Sequence, residues 1–476
     1  MTPRPSVVVI GAGLSGLAAA WELSGGATES PDAPRIEVLE AAGRVGGPLV
    51  LGELGGQAVD LGPDGFLARR PEARTLIEEM GLADDLIDIG ASGASLWLRG
   101  QLHPIPRSLA LGVPASMAPL RELGGLSWRA RAAAWRDRVA PRALPVGDDA
   151  SIGEIVRAKL GDEIAANVVE PLVGGIQAGR IDDLSAAALL PGLLAAAQRG
   201  GSLLRAMAAG APSPVPSGAP GPAFHSLRGG LGTLPLALAD RLDSRGVVVR
   251  TATTVQAVRR VTGEHPLVVE TAHTATPADA VVVATPAPVT AALLGSWDPD
   301  LAALGSVAYA AAAMVSASYP EAMAALPAGT GVLVPLGTPW AGGGTMIVTA
   351  LTFLDRKWEH LRQPGRALVR AHVGRSDDQR YAAFDDEHLR ARVADEVALL
   401  LGWSARPTEV HVQRFLPGLP QYRVGYLDLV ARARAAAARG GVDLAGSTYD
   451  GVGIPAAIGS GRRAARAARA RLAERR

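Results

Sequence analysis

The residues whose types and spacing most clearly predict a binding site are glycines near the start of the chain. Gly11-Ala12-Gly13-Leu14-Ser15-Gly16 follows a buried-strand pattern at Ser6 to Ile10 and precedes a helix-forming run, Leu17 to Leu23. In such a turn the first glycine permits the bend, the second lets a diphosphate approach the backbone, and the third allows close helix–strand packing. The diphosphate would lie at the positive end of the helix. The spacing therefore predicts a dinucleotide site.

An acidic residue further along the chain supports this prediction. Arg35 to Leu39 has the pattern of a second strand, and Glu40 follows it, 24 residues after Gly16. A carboxylate at this position can accept hydrogen bonds from ribose hydroxyls. A glycine turn alone also occurs in βαβ units that bind nothing, so Glu40 is the reason to prefer a nucleotide.

The next segment indicates which nucleotide. Ala42-Gly43-Arg44-Val45-Gly46-Gly47 resembles the R-x-G-G segment of flavoproteins of the amine oxidase and protoporphyrinogen oxidase superfamily. Its two glycines let the backbone lie against a second phosphate, and Arg44 supplies positive charge. An NAD dehydrogenase does not need this second element, so the predicted cofactor is FAD.

Further segments extend the resemblance from Val7 to Gly461. The matching segments are Val59 to Leu67, Glu170 to Gly179, Leu227 to Leu234, Ala280 to Pro286, Lys357-Trp358, Arg414 to Tyr426 and Leu444 to Pro455. As an ordered set they resemble the protoporphyrinogen oxidase family of heme biosynthesis, and most closely its bacterial coproporphyrinogen III oxidases. The chain departs from the family pattern at Gln177, Arg180, Phe415 and Tyr426. The departures at Gln177 and Arg180 leave room for an altered substrate preference.

The resemblance implies a set of site residues. Those assigned to FAD are Gly11, Ala12, Gly13, Leu14, Ser15, Gly16, Glu40, Arg44, Gly46, Gly47, Gly62, Pro63, Asp64, Gly65, Val255, Phe415, Gly446, Gly451, Val452, Gly453 and Ile454. Arg69 is a candidate for a substrate propionate, with Arg70 beside it, although both residues are equally compatible with a solvated surface. Gly175 is expected to lie against the substrate and to offer its backbone carbonyl.

The predicted fold is α/β. It combines a discontinuous, Rossmann-like FAD-binding domain with a mixed-sheet substrate domain and a helical domain. The predicted boundaries are 1–70, 224–285 and 406–476 for the FAD-binding parts, 71–210 for the helical part, 211–223 for a linker, and 286–405 for the substrate domain. A chain of 476 residues is too long for one core, which fits this division.

The resemblance implies oxidation of a porphyrinogen by molecular oxygen in three two-electron rounds, each releasing hydrogen peroxide. Coproporphyrinogen III is preferred over protoporphyrinogen IX, because the segments P-D-G-F-L-A-R-R and G-V-G-I-P resemble those of the bacterial coproporphyrinogen III oxidases. With two additional carboxylates, that substrate should favour a pocket richer in arginine. No acid–base side chain is assigned. The eight histidines form no cluster with metal-ligand spacing, so no metal site is predicted.

Two alternatives remain open. One is another oxidation in the same superfamily, with an amine or a carotenoid as substrate. The strand Val307 to Val315 lacks the lysine that amine oxidases carry, which disfavours amines. The other is a non-catalytic binder like the prenyl-protein escort proteins, although such binders lose the flavin motifs that persist here.

The composition of the chain limits which binding partners and which cellular location can be expected. A net charge of +1 provides no general attraction for nucleic acid, and the absence of cysteine excludes disulfides, thiolate metal sites and cysteine-linked flavin. The first strand begins within six residues, which leaves no room for a signal peptide. The charge-free run from Ala322 to Leu354 is interrupted by Pro and Gly, so it is not expected to span a membrane. A cytoplasmic protein is expected; the oligomeric state is not predicted.

Two basic helices require interpretation. The one from Trp128 to Arg138 carries two tryptophans seven residues apart, a pattern compatible with a peripheral membrane contact. The preferred interpretation is a surface helix with its tryptophans buried and its arginines solvated. The arginine-rich tail from Arg462 to Arg476 is expected to be a helix with a solvated face rather than a nucleic-acid arm.

Overall fold

This computed structural model describes residues 4–28, 30, 32–106, 108–109, 112–210, 222–320 and 325–475, so most of the predicted linker 211–223 lies outside the described residues. The strands are β1 (Ser6–Ile10), β2 (Arg35–Leu39), β3 (Leu51–Leu54), β4 (Gln57–Asp60), β5 (Phe66–Leu67), β6 (Leu86–Asp88), β7 (Ser95–Leu98), β8 (Gln101–Pro104), β9 (Phe224–Leu227), β10 (Val248–Arg250), β11 (Val255–Arg260), β12 (Leu267–Thr271), β13 (Ala275–Ala278), β14 (Ala280–Val283), β15 (Tyr309–Pro320), β16 (Gly331–Leu333), β17 (Val348–Phe353), β18 (Arg366–Val373), β19 (Glu409–Pro420) and β20 (Val442–Leu444).

The α-helices are α1 (Leu14–Leu23), α2 (Pro71–Glu79), α3 (Ala118–Glu122), α4 (Trp128–Val139), α5 (Ile152–Leu160), α6 (Asp162–Ile164), α7 (Gly175–Gln177), α8 (Ala186–Leu189), α9 (Pro191–Gln198), α10 (Leu203–Gly210), α11 (Thr233–Asp243), α12 (Ala287–Leu294), α13 (Pro299–Ala302), α14 (Leu354–Lys357), α15 (Asp386–Leu401), α16 (Tyr426–Arg439), α17 (Ser447–Asp450) and α18 (Ile454–Glu474). A π-helix, Ala165–Gly174, connects α6 to α7.

Five parallel strands from the beginning, middle and end of the chain form one sheet, in the order β10-β2-β1-β14-β20. The central strand β1 is buried on both faces. Val7 and Val9 pack against the layer of α1, α2, α11 and α18, whereas Val8 and Ile10 pack against α12, α16 and the small sheet β11-β12-β13. This architecture confirms the predicted discontinuous, Rossmann-like domain.

Helix α18 packs directly across α1. An ideal Cβ on Gly461 would lie 2.0 Å from the carbonyl oxygen of Ser15, so only glycine permits this approach. One residue later, Arg462 pairs with Glu79 at 2.6 Å and is largely buried. Arg462 is therefore docked on the protein, whereas Arg463 and Arg466 are 51% and 64% exposed and form the solvated face that was expected of this helix.

A seven-stranded mixed sheet, in the order β19-β15-β18-β17-β16-β7-β8, forms the predicted substrate domain. Its neighbouring strands are antiparallel except for β16 and β7. β7 and β8 come from the stretch predicted to be helical throughout, and β19 comes from the predicted third FAD-binding part. The prediction of a helical domain over 71–210 is wrong at β6, β7 and β8, because strands of three or four residues give too little alternation to stand out among helices.

Helices α3 to α10, with the π-helix, pack around a separate core and form the helical domain. Within the described residues, no helix combines the length and hydropathy needed to cross a bilayer. The part of the charge-free run from Ala322 to Leu354 that the structure describes contributes β16 and β17 instead.

Helix α4 exposes the two tryptophans that were expected to be buried. Trp128 is 73% exposed and Trp135 is 55% exposed, while Ala130, Ala134 and Asp137 are buried. The prediction is wrong because a seven-residue spacing places both rings on one face without saying whether that face meets the core. Small alanines make the packed face here.

Because α1 and α18 touch at Gly461, the substitution Gly461→Ala is predicted to lower the stability of the protein. We expect the free energy of unfolding to fall by about 1–3 kcal/mol, because the new methyl group would overpack the contact with Ser15. Gly459→Ala is the matched control: its Cβ would lie 3.6 Å from the Glu72 side chain, an ordinary contact, and alanine favours helix. Thermal unfolding compares the two variants, and equal melting temperatures would contradict the tight contact.

Candidate functional site

In the N-terminal glycine turn, protein atoms pack closely around Gly11 and Gly16 but not around Gly13. An ideal Cβ on Gly11 would lie 2.8 Å from the Ala284 carbonyl oxygen, and one on Gly16 would lie 1.8 Å from that of Gly11. A Cβ on Gly13 would meet nothing within 4 Å. Gly11 and Gly16 are therefore required by packing, whereas Gly13 faces free space. The first N–H groups of α1, at Leu14, Ser15 and Gly16, have no intrahelical acceptor and suit an anion there.

Glu40 lies at this turn. Its carboxylate accepts hydrogen bonds from the backbone N–H groups of Ala12, at 2.7 Å, and Ala42, at 2.8 Å. The backbone carbonyl of Glu40 accepts from Thr253, at 2.7 Å, two residues before Val255 at the start of β11. Glu40 and the start of β11 at Val255, both assigned to FAD from the sequence, are thus brought close to each other.

The R-x-G-G segment lies directly against the glycine turn. The N–H of Gly46 donates to the carbonyl of Ala12 at 2.8 Å, and an ideal Cβ on Gly47 would lie 3.4 Å from the Cα of Gly13. Arg44 donates to the carbonyl of Gly47 at 2.6 Å. Arg44 therefore holds the shape of its own loop, a role that the sequence did not indicate.

Asp64 belongs to a buried group of charges beside the Gly62-Pro63-Asp64-Gly65 loop. Its carboxylate lies 2.7 Å from Lys357 Nζ and 3.2 Å from Arg370 Nη1. Burial opposes ionisation, but the two cations outweigh it and lower the pKa of Asp64. Asp64 is therefore an anion at neutral pH.

Arg370, on β18, holds this loop from the side of the mixed sheet. It is buried and donates to the carbonyl of Gly62 at 3.0 Å and to that of Asp60. Sequence reasoning missed Arg370, because 308 residues separate it from Gly62. The signal in the sequence was weak, because β18 also carries Arg366 and His372, so Arg370 does not stand out among its neighbours.

The C-terminal glycine segment completes this side of the site. Ala445 donates to the carbonyl of Val283, which aligns the segment with β14, and α18 begins directly after Gly453. Gly446, Gly451 and Gly453 all have positive φ. Ideal Cβ atoms on Gly446 and Gly453 would meet nothing within 4 Å. Ile454 therefore follows a glycine that borders free space, as a planar ring system beside it requires, and Val452 precedes the same glycine.

Phe415, where the family usually has a tryptophan, lies on β19. An ideal Cβ on Gly62 would lie 3.3 Å from Phe415 Cζ, so the aromatic ring reaches the loop around Asp64. The neighbouring Leu416 is 64% exposed.

Gly175 begins α7, immediately after the π-helix. A Cβ on Gly175 would meet nothing within 4 Å, whereas one on Gly174 would lie 2.7 Å from the Gly179 carbonyl oxygen. The Gly175 carbonyl accepts from Ala178 at 3.3 Å. Gly175 thus faces free space, but one hydrogen bond already engages its carbonyl.

A buried ion pair supports this glycine segment. Arg375 donates to Glu170 and to the carbonyl of Gly179, and the other oxygen of Glu170 accepts from Ile181 at 3.0 Å. Burial raises the pKa of Glu170, against the opposing charge of Arg375. Arg375 follows β18 and was also missed, since no local pattern relates it to Glu170.

The two candidate propionate ligands differ in their surroundings. Arg70 pairs with Glu72 at 2.6 Å. Arg69 is exposed and forms no ion pair with another described residue. In the part of the chain that the structure describes, no hydrogen bond or ion pair joins Arg69 to Gly175.

Together these segments fit an extended dinucleotide. The turn at Gly13, the carboxylate of Glu40 and the Gly46-Gly47 backbone adjoin one another, and the Gly446–Gly453 segment approaches through α18. The Cβ-free surfaces at Gly13, Gly446 and Gly453 leave room for a flat, phosphate-bearing group.

Comparison with known proteins agrees with this geometry. A family model described as flavin containing amine oxidoreductase matches residues 14–469. The chain is 33% identical to a coproporphyrinogen III oxidase of Mycobacterium tuberculosis over 98% of this chain and 97% of the relative, and 30% identical to that of Bacillus subtilis over 97% of both. A crystal structure from Exiguobacterium sp. 255-15, described as a "Putative protoporphyrinogen oxidase", superimposes with a TM-score of 0.85 at 29% identity, covering 99% of this chain and 100% of that one.

The open side of the turn predicts a selective effect of Gly13→Ala. We expect unchanged unfolding of the cofactor-free protein, because the methyl group meets no protein atom, but FAD binding weaker by at least about tenfold, since the diphosphate needs that space. Gly16→Ala should instead destabilise the protein itself. Thermal unfolding and FAD titration separate the two effects. Undiminished FAD affinity in Gly13→Ala would contradict this location of the diphosphate.

Proposed function

The chain belongs to the flavin-containing amine oxidoreductase family and is an FAD-dependent oxidoreductase, and on that premise we propose that it oxidises coproporphyrinogen III to coproporphyrin III. The observation that carries the proposal is 30–34% identity over nearly the whole chain to several proteins named coproporphyrinogen III oxidase. The convergence of the first and last glycine segments on one space supports it.

The proposed reaction removes six electrons and six protons from the macrocycle. Bound FAD supplies an acceptor for one electron pair at a time, with molecular oxygen as the final acceptor. Three molecules of oxygen are then reduced to three of hydrogen peroxide for each macrocycle, which balances the six electrons. The growing conjugation of the macrocycle makes each removal favourable without a nucleophile or metal.

Within this reaction we propose that the chain binds and orients rather than exchanging protons through a dedicated side chain. The assigned residues from Gly11 to Gly65, with Val255, Phe415 and Gly446 to Ile454, would hold FAD. Gly175 would lie against the macrocycle. Exposed Ile176 beside it, and exposed Leu416, would cover an apolar face of the porphyrinogen.

Protoporphyrinogen IX is the second candidate substrate, favoured by the Exiguobacterium structure and its description. It has two propionates, whereas coproporphyrinogen III has four. The choice depends on cationic side chains around the macrocycle. Arg69 is the candidate that carries no ion pair to another described residue.

Turnover of both porphyrinogens tests this proposal. We expect a several-fold higher kcat/KM for coproporphyrinogen III, and anaerobic addition of that substrate should bleach the flavin absorbance. Arg69→Ala should raise KM about tenfold, the scale of one lost charge-assisted contact of roughly 1.4 kcal/mol, with little change in kcat.

Arg70→Ala is the matched control for Arg69, because Arg70 is engaged by Glu72. It should leave KM nearly unchanged. A strong preference for protoporphyrinogen IX would overturn the choice of substrate, and equal effects of the two substitutions would exclude Arg69 as a specific propionate ligand.

We also propose that α4 makes a peripheral contact with an anionic membrane surface. Trp128, Trp135 and Val139 form an exposed stripe at spacings of seven and four residues. The exposed arginines beside this stripe, which form no ion pair within the described residues, are Arg129, Arg136 and Arg138. Aromatic rings flanked by cations suit the interface of an anionic bilayer.

Sedimentation with lipid vesicles tests this contact. We expect binding to phosphatidylglycerol vesicles, weak binding to phosphatidylcholine vesicles, and loss of binding in the double variant Trp128→Ser/Trp135→Ser. The control double variant Leu236→Ser/Leu399→Ser removes exposed apolar side chains elsewhere and should bind normally. Absence of binding by the unaltered protein, or equal loss in both double variants, would refute the contact.

A further inference from the structure

Four of the six tyrosines of this chain surround the short helix α17, just before the glycines proposed to face the flavin. They are Tyr309, Tyr422, Tyr426 and Tyr449. Only 4% of the residues are aromatic, so this grouping is a marked concentration. The family resemblance gave no role to these hydroxyls, and the mechanism above does not use them.

Two of the tyrosines hold the backbone of α17 directly. The hydroxyl of Tyr422 donates to the carbonyl of Ser447 at 2.5 Å, and that of Tyr426 donates to the carbonyl of Thr448 at 2.6 Å. Their rings are buried and contact each other, with centroids 4.7 Å apart. Burial raises the pKa of both phenols well above the usual range, so both remain protonated donors.

The remaining two hydroxyls bond side chains near the same helix. Tyr309, at the start of β15, lies 2.7 Å from Thr448 Oγ1 and accepts from the N–H of Ala287 at 2.9 Å. Tyr449 donates to Thr290 Oγ1 at 3.1 Å. Helix α17 is thus tied to the mixed sheet and to α12 as well.

The turn that carries Tyr422 and Tyr426 is also fixed to the helical domain. The carbonyl of Tyr422 accepts from Ser185 at 2.7 Å, and the N–H of Gly425 donates to Asp149 Oδ2 at 3.0 Å. Immediately before the turn, the Gln421 amide donates to the carbonyl of Gln177 at 2.9 Å, two residues after Gly175. One turn therefore contacts both the segment of Gly175 and the segment that precedes Gly451.

The Gly446–Gly453 segment needs these hydrogen bonds to hold a single conformation. Three of the eight residues of this segment, Gly446, Gly451 and Gly453, have no side chain to pack, and glycine is the residue with the largest conformational freedom. Hydrogen bonds from outside must restrict it if it is to hold a ring system in one place.

We propose that Tyr422 and Tyr426 are positioning residues that fix the Gly446–Gly453 segment against the flavin and set its distance from the segment of Gly175. The inference rests on the FAD site of the proposed function, but not on which porphyrinogen is the substrate. The hydroxyls act through the backbone of Ser447 and Thr448 and need not touch the flavin.

The test uses the purified holoprotein with Tyr426→Phe, and Tyr422→Phe as an independent second variant. Each substitution leaves one buried carbonyl without its donor and should loosen the segment. We expect the FAD dissociation constant, measured by release of FAD fluorescence on dilution, to rise about tenfold. The N-terminus of α18 follows this segment and favours negative charge, so loosening the segment should weaken binding of the anionic reduced flavin more than of the oxidised form. The midpoint potential should therefore fall by about 30 mV, which corresponds to a tenfold change in relative affinity for the two redox states of a two-electron couple.

Tyr381→Phe is the matched control. Tyr381 is equally buried, and its hydroxyl has no hydrogen-bond partner among the described residues, so FAD affinity and potential should not change. If both test variants fold and behave like Tyr381→Phe, the proposal is overturned. If either fails to fold, the other decides; loss of folding in both, with Tyr381→Phe stable, would refute a local positioning role. Because neither readout involves a porphyrinogen, failure of the proposed substrate would leave this result interpretable.

Discussion

Helices α1 and α18 touch backbone to backbone, at Ser15 and Gly461. This contact determines where the glycine segments of the site can lie. α1 begins directly after the Gly11–Gly13 turn, and α18 begins directly after Gly453. Once Gly461 lies on the backbone of Ser15, these two turns are fixed relative to each other. The parallel order β1-β14-β20 reinforces this geometry from the sheet. The site is therefore assembled by packing between distant parts of the chain.

Buried charge fixes the loops that helix packing does not reach. Asp64 is held by Lys357 and Arg370, and Glu170 by Arg375, so both loops are tied to the mixed sheet or to residues that follow it. Buried ion pairs contribute little net stability, since desolvation offsets their attraction, but a wrong arrangement would leave a charge unpaired. The ion pairs of Asp64 and Glu170 therefore restrict each of the two loops to one position.

The sequence predicted those parts of the fold that have a local cause. Strand β1, helix α1, Glu40 and the glycine segment before Pro455 are determined by periodicity and turn chemistry within short windows. Arg370, Arg375 and the hydrogen bond from Tyr426 to Thr448 depend on which strands become neighbours, and no local pattern specifies that. The exposure of Trp128 was mispredicted for a related reason: helical spacing defines a face but not its partner. The assignment of FAD contacts remains a prediction for most residues, because it came from resemblance.

The discontinuous sheet has a consequence for biosynthesis on the ribosome. β1 and β2 are translated first, but β14 follows only after about residue 280, and β20 with α18 only after residue 440. Until α18 is made, the layer that covers Val7 and Val9 is incomplete, so the nascent chain presents apolar surface that chaperones would need to shield. A chain interrupted before residue 440 would keep the Gly11–Gly16 motif intact but would lack β20 and also α18, which holds the helix after that motif in the folded protein.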